Sequence, residues 1–419
     1  MTFPNNPIDT HEQRQHEQLA VKLFNGAELH AKKADVRQYW LDEVKPSADM
    51  LSCFDAAFEE VMFGAVIWAL NQDPLYPKAI TISRVPHKLG DLEIPGSRWG
   101  IDNPDSVYRV IPISGEERYE ISGRVNTLQR LVENYFTLWD PNMQTMGLLS
   151  GKDLVVDSEG RFTISVDAEP AGGRVNHIQS CPTAHEFYIR DVVFDWANDR
   201  VNELAVKRLG KEPARPPMSE AELTDLAAQY MQKWATNTTR WNNQALLKPA
   251  NEFSFTIDRD SDGALRNQIY IMGHFKLASD DEVMLLEVDM GGAEYFIAPI
   301  TNVWGTTNHI IDRNGCLNKH QAVANPNGSY TFVVSVKDPG VSNWLDPSDM
   351  REGILTLRWA EFENDLPQDT LGVKCKVVPM AELNQHLPVN TPTLTTAQRA
   401  EASQARVKSY AWRIAEEHS

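Results

Sequence analysis

A chain of 419 residues exceeds the roughly 100–200 residues of an ordinary domain, so two or three domains are expected. With 42% hydrophobic, 9% aromatic and 23% charged residues it has ample material for a core, which excludes wholesale disorder. Forty basic against 58 acidic residues give a net charge of −18, a field that repels phosphate backbones and anionic headgroups, so neither nucleic acid nor membrane is an expected partner.

In chain order, residues 1–77 read as a helical N-terminal segment. Apolar residues recur at three and four from Ala34 to Val44 and from Ala48 to Asn71, as in Phe54, Phe58, Met62, Val66 and Leu70. The longest apolar run, Met62 to Leu70, is nine residues, short of the roughly 20 of a membrane helix. The N-terminus lacks a basic region followed by an apolar stretch, so a cytoplasmic location is expected. Residues 78–196 switch to short alternating runs broken by turn residues, a first β module. Its clearest strands are Ser106 to Ile113, Tyr119 to Val125, Phe162 to Val166 and Phe187 to Trp196. Residues 197–250 read as a helical connector, with Ser219 and Glu222 at capping-box spacing. A second β module follows at 251–380, and 381–419 is a polar tail with a terminal helix from Thr395 to Glu417. The fold class expected is α+β, mainly β, with two related antiparallel β-sandwich-like modules.

The modules are related by a nearly constant offset. Gly160 and Gly328, Phe162 and Tyr330, Thr163 and Thr331, and Arg190 and Arg358 are each 168 residues apart. Each glycine closes a turn before an aromatic-led strand, in Asp157-Ser-Glu-Gly160 and Asn325-Pro-Asn-Gly328. An internal duplication is therefore expected, with a ligand site inside one module or between the two.

Several chemistries lack their residues. No GxGxxG follows a strand, and Gly147 to Asp153 is too short for a P-loop and has no hydroxyl residue after Lys152. Neither GxSxG nor HExxH occurs, and Cys53, Cys181, Cys316 and Cys375 are scattered. No organic cofactor and no metal are expected. Asp258, Asp260 and Asp262 before Gly263 resemble the start of a calcium loop, but the twelfth position is Ile269 rather than a bidentate Glu, which leaves a solvated turn as the simpler reading.

Among candidate acid–base groups, His177 and His309 fall in loops where the ends of sandwiches gather, and either supplies a general base or a hydrogen-bonded structural imidazole. Arg190 and Arg358 sit in strands beside aromatic residues, where an inward arginine needs a carboxylate or grips an anionic ligand. Trp99, Trp139, Trp304 and Trp344 floor an apolar pocket or pack the core. Tyr108 and Arg109 follow the turn Asp102-Asn103-Pro104-Asp105, and the turn alone does not require them. Asn343, Trp344 and Asp346 place an amide, an indole and a carboxylate just after the reversal at Pro339-Gly340, where they orient a ligand or support the loop.

Two strings carry a family resemblance. Arg98-Trp-Gly-Ile-Asp102-Asn103-Pro104-Asp105-Ser-Val-Tyr108-Arg109, with Tyr119-Glu-Ile-Ser-Gly123 after it, and Asp338-Pro339-Gly340-Val-Ser-Asn343-Trp344-Leu345-Asp346, with Arg351-Glu-Gly353 and Leu357-Arg358-Trp359, occur in order. Over about residues 95–410 the chain resembles proteins carrying the domain of unknown function 1214. That resemblance implies an antiparallel β fold and supplies no reaction or catalytic set.

The expected function is a cofactor-independent acid–base enzyme of lyase, hydratase or hydrolase type, acting on a small, largely apolar molecule in a β-sandwich pocket. His309, His177 and Asp346 are the candidate catalytic residues, and Tyr108, Arg109, Trp304, Asn343, Trp344 and Arg358 the candidate substrate-binding ones. The alternative is a noncatalytic small-molecule or carbohydrate-binding protein.

Overall fold

The computed structural model describes residues 6–125, 130–253, 268–362 and 371–414. Four helices lead the chain: α1 (His11–Phe24), α2 (Ala27–Val44), α3 (Ala48–Leu51) and α4 (Phe54–Ala69). Thr10 and Ser47 cap α1 and α3 by accepting hydrogen bonds from the backbone of Gln13 and Met50. Helix α4 is buried on all sides from Glu60 to Ala69, which accounts for its unbroken apolar run.

The first module contains β1 (Ile80–Thr81), β2 (His87–Leu89), β3 (Leu92–Ile94), β4 (Ser106–Pro112), β5 (Arg118–Arg124), β6 (Glu133–Trp139), β7 (Thr145–Ser150), β8 (Arg161–Asp167), β9 (His177–Gln179), β10 (Glu186–Val192) and β11 (Glu203–Leu209). Strand β11 falls where the sequence pattern suggests connector helix, because Glu203 to Leu209 lies on an edge with both faces part-exposed and shows no clear alternation. Helix α5 (Glu220–Leu246) starts at the Ser219–Glu222 capping box. The second module contains β12 (Ile269–Lys276), β13 (Glu282–Asp289), β14 (Ala293–Thr301), β15 (Cys316–Asn318), β16 (Tyr330–Val334), β17 (Trp344–Leu345), β18 (Glu352–Phe362) and β19 (Gly372–Pro379), followed by α6 (Leu383–His386) and α7 (Thr396–Tyr410).

Each module is two sheets around an apolar core. In the first, β1-β4-β10-β6-β7 packs on β11-β5-β8-β9; in the second, β12-β18-β14-β15 packs on β17-β16-β13-β19. Strand for strand, β4-β10-β6-β7 matches β12-β18-β14-β15, and β11-β5-β8-β9 matches β19-β13-β16-β17. The likeness extends to one detail that an antiparallel expectation misses, since β8 with β9 and β16 with β17 are parallel pairs. Gly160 and Gly328 close equivalent turns at φ of 78° and 85°, each donating its amide to the carbonyl of Asp157 or Asn325.

The sheets containing β10 and β18 turn their other faces towards each other and form a seam. Its core includes Val192 from one module and Tyr295, Ile297 and Ala360 from the other. Asp105 fastens it: one carboxylate oxygen accepts from Trp196 Nε1 at 2.7 Å, the other from Tyr295 Oη at 3.0 Å and Asn318 Nδ2 at 2.9 Å. Helices α4 and α5 pack together over one side of the seam, on Tyr108, Val110, Trp139 and Val303. At another side Arg413, beyond α7, donates to the carbonyls of Pro104 and Ser106.

Candidate functional site

Arg190 on β10 lies opposite Tyr108 on β4, and Arg358 on β18 lies opposite Tyr270 on β12. Side chains alternate between strand faces, so in each module the arginine and its tyrosine share the seam face, while Ile189, Leu357 and Trp359 enter the sandwich cores. Both arginines act electrostatically on Tyr188, Tyr270 and Glu133, which places the two positive charges at one site. Two residues before each arginine, on the same faces, stand Tyr188 and Thr356.

The first module supplies a ladder of rings. Trp139 stacks on Tyr188 at 4.1 Å, and Tyr188 stacks on Tyr108 at 5.4 Å. The Arg190 guanidinium lies 5.1 Å from the Tyr188 ring centre, and that of Arg358 lies 5.6 Å from Tyr270. Trp99, stacked on Trp234 of α5 at 4.0 Å, extends the aromatic wall towards the helices. Tyr188, Arg190 and Tyr270 lie between sheets and are half-buried.

Glu133, at the head of β6, is the acidic member. Gln268 Nε2 donates to both of its oxygens, at 2.6 and 2.7 Å, and Tyr270 Oη donates to Gln268 Oε1. A hydrogen-bonded path thus joins the carboxyl to the tyrosine facing Arg358. Burial pushes the Glu133 carboxyl up to about 7, against the pull of Arg190 and the Gln268 bond. A carboxyl at that value takes up and releases a proton near neutral pH.

Arg358 is the least satisfied group. It is 8% exposed, and its Nη2 donates to the carbonyl of Ile101. Its Nε is buried without an acceptor, and no carboxylate among the described residues forms an ion pair with it. Ile101 itself has φ of 61°, an unfavourable setting for a β-branched residue, and is held there by its amide bond to the Gly305 carbonyl.

The other residues singled out from the sequence lie elsewhere. Arg109 faces away from the seam, paired with Asp191 and donating to the Asn202 carbonyl at 2.6 Å. The His309 side chain is 67% exposed, 3.5 Å from Asp312. His177 is fixed on β9 by Ser165 Oγ at 2.9 Å and the Glu169 carbonyl at 2.8 Å. Neither histidine has a hydrogen bond to the seam residues, so the expected imidazole base does not serve this site. Asp346 is tied by both oxygens to Arg313, at 2.7 Å each, and accepts from the Ser348 amide. Asn343 clamps Val323, donating to its carbonyl and accepting from its amide, both at 2.8 Å. Asn176 makes the same clamp on Val155, which marks Asn343 as part of the module's frame rather than a ligand group. Trp344 donates to the Ser335 carbonyl and lies under Arg399. Trp304 is fully buried against Trp40 and Phe54, donating to the Met50 carbonyl. The expected pocket of Asn343, Trp344 and Asp346 with Tyr108 or His309 is therefore not assembled, because the trio spends its polar atoms on Val323, Ser335 and Arg313. Tyr108 and Arg358 are brought together. Asp258, Asp260 and Asp262 lie outside the described residues, and so does any calcium site there.

Glu133, Gln268, Tyr188 and Tyr270 were not singled out as site residues. The 168-residue offset that paired Arg190 with Arg358 was the signal that led to this seam; the residue opposite each arginine then completes it.

No family model matches the chain, and no curated protein matches it in sequence. The solved structure of an uncharacterised protein from Burkholderia cenocepacia is similar over 86% of this chain and 99% of its own, with 22% identity and a TM-score of 0.71, so the two share a fold. A protein from Vibrio parahaemolyticus aligns over 77% of this chain and 99% of its own, with 12% identity and a TM-score of 0.43.

Proposed function

We propose that the protein is an acid–base enzyme without an organic cofactor, acting on a small, largely apolar molecule held in the seam, with Glu133 as the proton-transfer group. The observation that supports this reading is the meeting of Arg190, Arg358, Tyr108, Tyr188 and Tyr270 around a carboxyl whose affinity for a proton matches neutral pH. The rings offer an apolar wall, the arginines fix orientation, and Glu133, positioned by Gln268, exchanges a proton with the bound molecule. A lyase needs no more than this, and a hydratase or hydrolase would add a water as reactant.

The second reading is a noncatalytic small-molecule or carbohydrate-binding protein, favoured by the gathering of aromatic rings around two arginines, which needs no catalytic step to hold a ligand. Membership of the family with the domain of unknown function 1214 is proposed from the two sequence strings, and descent by internal duplication from the matching strand orders. A cytoplasmic setting is proposed from four unbridged cysteines.

Native mass spectrometry of the freshly purified protein, followed by release and identification of what copurifies, supplies the molecule to assay. The enzyme reading expects its conversion by wild type and a loss of at least about a hundredfold in Glu133→Gln. Binding without conversion would leave the second reading, and wild-type turnover by Glu133→Gln would remove Glu133 from the mechanism.

A further inference from the structure

We infer that the molecule held in the seam is a carboxylate with a flat apolar body, and that Arg358 is the group that receives its anionic end. This rests on the seam being the ligand site, and it adds the ligand's charge and shape. A buried guanidinium ordinarily meets a carboxylate that neutralises it and fills its fork of donors. Several arginines follow that rule, whereas the buried Arg406 and Arg413 donate to main-chain carbonyls. Arg98 is bidentate to Glu60, Arg313 is held by Asp346 and Asp349, and Arg109 pairs with Asp191. Arg358, more buried than Arg98 or Arg313, is supplied with a main-chain carbonyl from Ile101, with the Asp102 carbonyl at a distant 3.5 Å. Its Nε is left bare.

Leaving a buried donor without an acceptor is destabilising, and more so for a charged group. The nearby acid does not remove the deficit, since Glu133 is engaged by Gln268 through both oxygens and is only part-ionised at neutral pH. Arg190 and Arg358 both act on that carboxyl. Glu361, the other acid acting on Glu133, accepts from Tyr135 at 2.6 Å and pairs with Lys152. A ligand carboxylate supplies what Arg358 lacks: two oxygens in one plane matching two adjacent N–H groups. The body of the ligand is set by the rings. Tyr108 and Tyr188 stack with their planes 26° apart and the Tyr270 ring lies beneath Arg358, so the surroundings of a carboxylate at Arg358 are aromatic and suit a planar apolar group. Phosphate esters fit less well, because a tetrahedral dianion needs more donors than the single free edge of Arg358.

The test uses benzoate and phenylacetate as probes against benzamide and phenylacetamide, which keep shape and lose charge, in titration calorimetry of the full chain at pH 8. The carboxylates are expected to bind, with the amides weaker by roughly tenfold or more. Arg358→Gln should cut carboxylate affinity by a similar factor and leave the amides unchanged. Equal binding of acid and amide, or no binding by any of the four, overturns the inference, and both outcomes are read on wild type even if Arg358→Gln does not fold. Failure of the acid–base reading is separable: Glu133→Gln removes a negative charge and should bind benzoate at least as tightly as wild type while losing turnover. A Glu133→Gln protein that converts the copurified molecule normally but still discriminates acid from amide leaves Arg358 as the anion receptor and discards the proton-transfer role.

Discussion

Arg190 and Arg358 hold the same register in two separate sheets, each facing a tyrosine across one antiparallel pairing and each on the side turned towards the other module. Strand pairing alone brings them there. A slip of one residue in either sheet would send its arginine into an apolar core, where the charge would have no partner, so the hydrophobic alternation that fixes the cores also fixes the site.

Glu133 makes folding depend on pH in a defined direction. Its carboxyl is raised from 4.5 to about 7 in the folded chain, chiefly by burial, so the protonated form is favoured by folding. The contribution is fully present below pH 4.5 and is lost as pH rises through 7. Glu133→Gln cannot titrate. Denaturant unfolding of both proteins from pH 4.5 to 8 should therefore show the variant gaining on wild type by roughly 3 kcal/mol. A pH-independent difference would mean that Glu133 is not desolvated as described.

Glu17 has the opposite sign. Burial alone would raise it, but the hydrogen bond from His87 and the charge of Arg84 hold it down at about 2. Its stabilisation is present above pH 4.5 and is lost as pH falls towards 2. Glu17→Gln should cost roughly 3–5 kcal/mol at pH 7, because Arg84 is left buried with its charge uncompensated, and should flatten the acid limb of the stability curve. An acid transition unchanged in the variant would assign that limb to other carboxylates, such as Glu352.

Asp346→Asn should behave as a structural lesion. Both carboxylate oxygens hold Arg313, and Asp346 is 3% exposed, so the loss should be about 1–3 kcal/mol in unfolding experiments, with ligand affinity at the seam unchanged. His309→Ala, at an exposed site, should change neither. A fall in affinity at unchanged stability would return Asp346 to the binding machinery.

Trp304→Ala should cost about 3–5 kcal/mol, the usual loss for a fully buried aromatic, and should loosen α2 and α4 first, because the indole sits between Trp40 and Phe54. Hydrogen exchange should speed up in Phe54–Ala69 before it does in the second sandwich. Uniform acceleration through both would show that the helices and the module unfold as one unit.

The sequence made the two sandwiches legible because half-buried strands alternate and because their turns need particular residues, as Gly160 and Gly328 do. Strand β11 was hidden since an edge with both faces part-exposed has no periodicity to read. Tyr108 and Arg358 could be found as residues that turn chemistry and core packing did not require. The trio at Asn343, Trp344 and Asp346 met the same criterion and proved to be scaffold, because polar groups can be satisfied by loop backbone that no pattern reveals. Glu133 had no marker at all: its importance comes from Gln268 and Arg190, remote in the chain and adjacent only after folding.

Thr356 stands where the other module has Tyr188, two residues ahead of the arginine on the same face, and its hydroxyl is buried without a partner. The two halves of the seam are thus alike in backbone and unlike in what they present. One end offers a broad ring; the other offers a methyl and an idle hydroxyl. A mirror-symmetric occupant would leave one end poorly filled, so the seam has a head and a tail, and a molecule lying along it is presented in one direction. Under the proposed acid–base reading, a prochiral molecule held that way would expose a single face to Glu133, and a new stereocentre would form in one hand.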